Sequence, residues 1–526
     1  MTMWKKGACG LLAALMLCGA LVSCRKEEEP EETEQQSGEV VVTSETETEM
    51  ITNEWGEQAF ENPIPEDLHY GGMEVNILVR DSERYFREFM KDDHSQSLDS
   101  QIYTRNMKIQ KDLGVVLKLN KGPNLVGGGQ NLVDFNQMIE TSILQGDSSI
   151  DIVAHYALYG VAHGIRSYFS NLTDESFTYL NLDRPYWNQN HQKVAKLNSG
   201  LYYAVGDANL SVYDRLIVLH YNQTMGEEYG LPDLYQMVLD GDWTYDELLK
   251  IIRDTAEYRD DATQGKSEGD LVGLISCIHS EATDPYLSAF DIPMLVEQDG
   301  VYSWNISGNE KLQNATEKLK TLFHLPAAYL CADTGISYRN FTAGNSLFNQ
   351  DIMYREDKVL TAYGNMEDER GILPLPKYDA DQENYQSAAQ TAYNIMCVPD
   401  SDAIDREAIS AVLEAMSYES YNSVRPYYFM YIAQARYVEN SASVKIFELI
   451  LNSTHFDTAT VFDNMFWEST TKSTGSPVFI FLGSCLESND SIGHMATTLS
   501  SAWASNQTKL NTKLNDFQYW ASQSGN

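Results

Sequence analysis

The sequence predicts an α/β protein built around mostly parallel sheet, and three observations carry that prediction. Met73–Val79 reads as a strand, an apolar helical face at Leu98, Ile102, Ile109 and Leu113 follows, and Val115–Leu119 reads as the next strand. A strand–helix–strand order favours a parallel pair joined by a right-handed crossover. The order then recurs, with Phe135, Met138, Ile139 and Ile143 marking a helix ahead of the buried strand Ile150–Ala154. Hydrophobic residues make up 43% of the chain, so the roughly 460 residues past the N-terminal segment can fill two or three lobes.

That N-terminal segment is not globular in pattern. Lys5 and Lys6 precede an apolar run from Leu11 to Val22, and Leu21-Val22-Ser23-Cys24 closes it. The run is about 12 residues, short of the roughly 20 a bilayer span needs. A basic start, a short apolar middle and small residues before the cut make residues 1–23 a signal peptide. The Leu-x-Ser-Cys ending resembles the lipobox of bacterial lipoproteins, which implies a lipid on the Cys24 thiol. Residues 25–66 hold fourteen glutamates against Arg25 and Lys26. Such a stretch repels itself and has little to bury, so residues 24–70 are expected to be an extended, disordered tether.

The folded part reads onward in order. Gly114 stops the first helix. Gly127-Gly128-Gly129 lacks the Lys-Ser/Thr of a phosphate loop and is read as a flexible loop. Gly146-Asp147 ends the second helix. Leu201–Val205 and Leu216–Tyr221 are expected strands, with Asp207, Tyr213, Asp214 and Arg215 between them. Thr244 and Glu247 form a capping box ahead of Leu248, Leu249, Ile252 and Ala256. Leu271–Ser276 is a further strand. Asp405 can cap a helix whose core face is Ile409, Val412, Leu413 and Met416. The last hundred residues read as helical and aromatic.

Charge and cysteine usage exclude several functions. The formal net charge is −39, and loss of residues 1–23, with two lysines and no acid, makes it −41. An acidic chain of this kind is not expected to bind nucleic acid or a membrane through a basic patch. Cys277, Cys331, Cys397 and Cys485 are widely spaced with no CxxC, so no zinc site is expected and their pairing is open. No nucleophile elbow or HExxH is present.

Five segments in order carry a family resemblance: Ile150-Asp-Ile-Val153 with Phe169-Ser-Asn-Leu-Thr-Asp174; Leu201-Tyr-Tyr-Ala-Val-Gly-Asp207 with Leu219-His-Tyr-Asn222; Gly230-Leu-Pro-Asp233 with Gly241-Asp-Trp-Thr-Tyr-Asp-Glu-Leu248; Phe341-Thr-Ala-Gly-Asn-Ser-Leu-Phe348; and Gly371-Ile-Leu-Pro-Leu-Pro-Lys-Tyr-Asp379. Behind a lipobox and tether, residues 73 to about 450 resemble the family 1 extracellular solute-binding proteins, the receptors of sugar-importing ABC transporters. The resemblance implies a type II periplasmic-binding-protein-like fold: two α/β lobes of mixed sheet flanked by helices, with a hinge between them. Residues 71–206 and 379–425 would form one lobe, and 207–378 and 426–526 the other. It implies no cofactor, a carbohydrate ligand in the interlobe cleft, an ABC permease as partner, and a monomer lipid-anchored at the outer face of the cytoplasmic membrane.

Sugars offer an apolar ring face and a rim of hydroxyls, which aromatic and polar side chains meet respectively. Ligands in open α/β sheets sit beyond the carboxyl ends of strands. Position therefore selects His155 and Tyr156 after a strand, Asp207, Tyr213 and Arg215 at the first crossing, Tyr363 ahead of the Gly371 strand, and Trp187 and Trp467 in loops. Maltodextrin-binding members carry tryptophan in place of His155 and a carboxylate in place of Arg215, which argues against maltodextrin here. Arg215 suits an acidic sugar, or a structural pair with Asp214. A peptide receptor, a surface adhesin or sensor, and a lipid-anchored glycosidase are the competing readings.

Overall fold

The structure, a computed structural model, describes residues 60–89, 98–125, 129–256, 266–278, 282–353, 366–436, 441–466, 477–486 and 496–524. Cys24, the signal segment and the tether up to residue 59 lie outside these. In chain order the strands are β1 (Met73–Arg80), β2 (Val115–Gly122), β3 (Ile152–Tyr156), β4 (Ile217–Asn222), β5 (Val272–Cys277), β6 (Leu295–Gln298), β7 (Val301–Trp304), β8 (Ala328–Cys331), β9 (Ser346–Ile352), β10 (Arg370–Leu373), β11 (Ser387–Ala388), β12 (Asn394–Cys397) and β13 (Thr454–His455).

Two mixed sheets organise them. The first has the order β12-β3-β1-β2 and the second β10-β4-β9-β5-β8. In the first, β1 runs parallel to β2 and β3, with Met73 opposite Val115 and Ile77 opposite Ile152, while β12 closes the edge antiparallel to β3. Its alternation buries Val75, Ile77 and Val79 on one face and Leu78 on the other. Both faces are covered, as expected for parallel strands flanked by helices. The helix Leu98–Leu113 makes the crossover from β1 to β2, and Gly114, at φ +60°, ends it in the left-handed region. The helix Gln130–Gln145 precedes β3 and ends at Gly146, at φ +61°.

The chain passes from the first sheet to the second between β3 and β4, and returns between β10 and β12. The helix Arg406–Glu419 then follows, capped by the Asp405 carboxylate accepting from the Ala408 N–H at 3.0 Å. Ile409, Val412, Leu413 and Met416 are all buried, as the spacing predicts. The helix Ser441–Asn452 packs on β10 of the second sheet. Helices Arg425–Arg436, Pro477–Ser484 and Leu499–Gln523 complete the helical C-terminal region.

Three local expectations change. Leu201–Val205 is buried but forms no regular strand: Ala204 makes a single antiparallel bridge to Met396. An apolar run can bury itself on the end of another sheet without a ladder partner of its own, and periodicity does not distinguish the two. Gly129 directly precedes the helix Gln130–Gln145, which the reading of a glycine loop did not place there, and Gly127 and Gly128 lie outside the described residues. The strand expected to end at Ala154 continues through His155 to Tyr156. No helix among the described residues is long and apolar enough to cross a membrane.

Candidate functional site

The carboxyl ends of β1 and β3 lie side by side, and the first crossing begins near them. Arg80 is the last residue of β1, and its side chain is fully buried. Its guanidinium carbon lies 3.3 Å from the centroid of the Tyr85 ring and 4.1 Å from that of Tyr156, at the end of β3. Cation–π contacts of this kind gain strength when desolvated. Arg80 Nη2 donates to the Ala392 carbonyl at 3.0 Å, ahead of β12. Among the described residues its Nε and Nη1 have no hydrogen-bond partner. Burial lowers the Arg80 pKa, Tyr85 and Tyr156 raise it, the Arg215 charge lowers it, and the nearby Glu88 carboxylate raises it.

Arg215 enters from the other side. It sits two residues before β4, its Nη2 donates to the Tyr85 hydroxyl, and its guanidinium carbon lies 5.5 Å from the same ring. Tyr159 stands edge-on to Tyr156 with centroids 5.2 Å apart. The result is two arginines and three tyrosines where the chain leaves the first sheet for the second.

Carboxylates surround this group, each with its own partners. Glu88 is buried and accepts from the Ser211 N–H at 2.5 Å and from Asn394 Nδ2 at 3.1 Å. Burial and the charge of Asp214 push its pKa up to about 7, against the pull of those hydrogen bonds. Asp207 accepts from the Tyr213 hydroxyl at 2.8 Å and pairs with Arg425 at 3.2 Å. Asp214 accepts from the Tyr428 hydroxyl. Among the described residues no carboxylate forms an ion pair with Arg80, and no group of His, Cys, Asp and Glu is placed to hold a metal.

The residues selected from sequence divide on this geometry. Tyr156 and Arg215 meet at the cluster. Asp207 and Tyr213 bond one another at the crossing, beside Arg425 and Phe429, the latter 5.2 Å from the Tyr213 ring. His155 is fully buried, with its ring nitrogens 3.1 Å from Tyr156 O and from Asn136 Oδ1. Burial drives its pKa well below the usual imidazole value. Strand alternation explains the split, since consecutive residues of β3 point to opposite faces. Trp187 is fully buried and donates from Nε1 to Glu414 Oε2 at 2.9 Å, a carboxylate that also takes the Tyr186 hydroxyl at 2.5 Å. It packs in the core on the far face of the first sheet. Tyr363 and Trp467 lie outside the described residues.

Sequence reasoning passed over Arg80 and Tyr85. The signal for Arg80 was available: it directly follows the apolar strand Met73–Val79, at the carboxyl end where ligands bind. Tyr85 gave none, because one aromatic in a short helix does not announce its partners.

No known protein-family profile matches the chain, and no curated protein matches it in sequence. Solved structures do. The chain is similar to the galacto-N-biose/lacto-N-biose I-binding protein of an ABC transporter from Bifidobacterium longum, solved with lacto-N-biose. That match has 11% identity and a TM-score of 0.52, over 85% of this chain and 98% of that one. It is similar to UspC of M. tuberculosis at 15% identity and a TM-score of 0.51, over 83% and 100%. It is also similar to an ABC transporter solute-binding protein of Thermotoga lettingae bound with α-D-tagatose, at 12% and 0.50, over 84% and 100%. The fold is therefore that of the type II periplasmic binding proteins. Within that class, the structures it resembles include sugar-bound ABC solute-binding proteins.

Proposed function

We propose that this chain is a receptor that captures an oligosaccharide between its two α/β layers and delivers it to an ABC importer. One lobe would comprise residues 71–206 and 379–425, and the other 207–378 and 426–526. The observation that carries the reading is the cluster of Arg80, Tyr85, Tyr156, Tyr159 and Arg215, at the carboxyl ends of β1 and β3 where the chain crosses between sheets. Phenol rings cover sugar faces, and guanidinium and hydroxyl groups bond their rims. Because Arg80 and Tyr85 are buried, ligand entry needs a hinge opening, and the two states must differ by only a few kcal/mol for cargo to be released. Exported, acylated on Cys24 and lifted by its acidic tether, the monomer would work at the outer face of the cytoplasmic membrane. The bound groups are binders and not a catalytic pair, so no turnover of the sugar is expected.

The test is thermal unfolding of the full-length chain against a panel of oligosaccharides and short peptides. A ligand at about 100 Kd that binds only the folded state adds about 2.7 kcal/mol. One glycan class should raise Tm, and Tyr156→Ala should abolish the rise. A shift with peptides alone, or hydrolysis of a glycan, would contradict the reading.

A further inference from the structure

The second sheet ends in β8, an edge strand whose ladder to β5 has four residue pairs. The last of those pairs sets Cys277 directly opposite Cys331, each the final residue of its strand. Residues opposite one another on parallel strands present their side chains to the same face, and both cysteines are buried in one small apolar cluster with Val272 and Ile275. Neighbouring strands run about 4.7–4.9 Å apart, inside the Cα separation of roughly 4.4–6.8 Å that a disulfide spans. The Cys331 side chain leans across the ladder, with Sγ 3.3 Å from the Ser276 carbonyl oxygen on β5, one residue before Cys277. A hydrogen bond from Cys277 then holds the Cys331 thiol below its usual pKa, outweighing burial. Cys397 and Cys485 differ, since burial pushes both thiols well above the ordinary value. The structure records all four as thiols.

We propose that Cys277 and Cys331 are a disulfide-forming pair whose bond ties the edge strand β8 to β5. The oxidant is a disulfide donor, of the kind met where exported chains fold. The Cys331 thiolate attacks one donor sulfur, giving a mixed disulfide and releasing one donor thiolate. The Cys277 thiolate then attacks Cys331 Sγ, forming the Cys277–Cys331 bond and releasing the second donor thiolate. The pair gives up two electrons and two protons, and the donor disulfide becomes two thiols. Both sulfurs are buried once the sheet is complete, so the exchange belongs to folding, as β8 docks. The bond closes the loop from 277 to 331, and cross-links over long loops restrict the unfolded chain most. It also fixes an edge whose outer side has no further strand in the sheet.

The experiment is oxidative refolding of the full-length chain followed by peptide mapping. The reduced, denatured chain is refolded in a mixture of oxidised and reduced glutathione, quenched by alkylation and digested without reduction. Because the buffer supplies the oxidant, the result does not depend on where the chain is exported. The expected product is a linked pair of peptides carrying Cys277 and Cys331, with Cys397 and Cys485 recovered as alkylated thiols. Thermal unfolding should then show a Tm lower by several degrees after reduction, and the double variant Cys277→Ser, Cys331→Ser should lose that dependence on reductant. Recovery of Cys277 and Cys331 as alkylated thiols, as glutathione adducts, or in links to other cysteines overturns the proposal. The wild-type peptide map decides the matter even if the double variant does not fold.

Discussion

At the scale of single residues, burial and hydrogen-bond partners decide which candidates can meet a ligand, and neither is visible in sequence. Trp187 shows this. A tryptophan in a loop suggests a sugar platform, yet its indole N–H is spent on Glu414 in the core. Trp187→Phe removes that bond and should cost about 1–3 kcal/mol in a denaturant titration while glycan affinity is unchanged. Glu88 makes the opposite case: an unremarkable acid in sequence, buried beside the cluster in the fold. Its pKa is raised from 4.5 to about 7 by burial, so folding favours its protonated form. Its contribution is then fully present below about pH 4.5 and lost as pH rises through 7. On this basis the stability of Glu88→Gln should gain on that of the wild type between pH 4.5 and 7.5, by an amount on the order of 3 kcal/mol. Parallel stability curves for the two proteins across that range would refute the assignment.

At the scale of elements, most of the architecture was readable because it rests on local rules. The apolar spacing of Leu98, Ile102, Ile109 and Leu113 specifies a helix face that is indeed buried, and Gly114 and Gly146 end helices at positive φ. Asp405 caps its helix as its position before the apolar run indicates. Asp405→Ala should cost about 1 kcal/mol, read from denaturant midpoints, without changing the slope of the transition. What local rules could not supply was pairing. Leu201–Val205 has the composition of a strand but obtains only the Ala204–Met396 bridge, across a sequence distance no pattern encodes. Likewise β12 adds antiparallel to β3, bringing Ala392 against Arg80. That contact joins segments far apart in the chain, and no spacing within either one foretells it.

At the scale of the whole molecule, the α/β plan was legible from motif order. The proposed binding cluster was legible only in part: Tyr156 fell at the carboxyl end of a strand and Arg215 at the first crossing, while Arg80 and Tyr85 emerged from the tertiary arrangement. The central claim is that ligand is taken at the carboxyl ends of β1 and β3, where the chain crosses to the second sheet. Hydrogen–deuterium exchange of the full-length chain, with and without the glycan that most raises Tm, tests it most directly. The account predicts ligand-dependent protection in peptides covering 80–89, 152–160 and 207–216. Protection confined to the C-terminal helices, with those three segments unchanged, would contradict it.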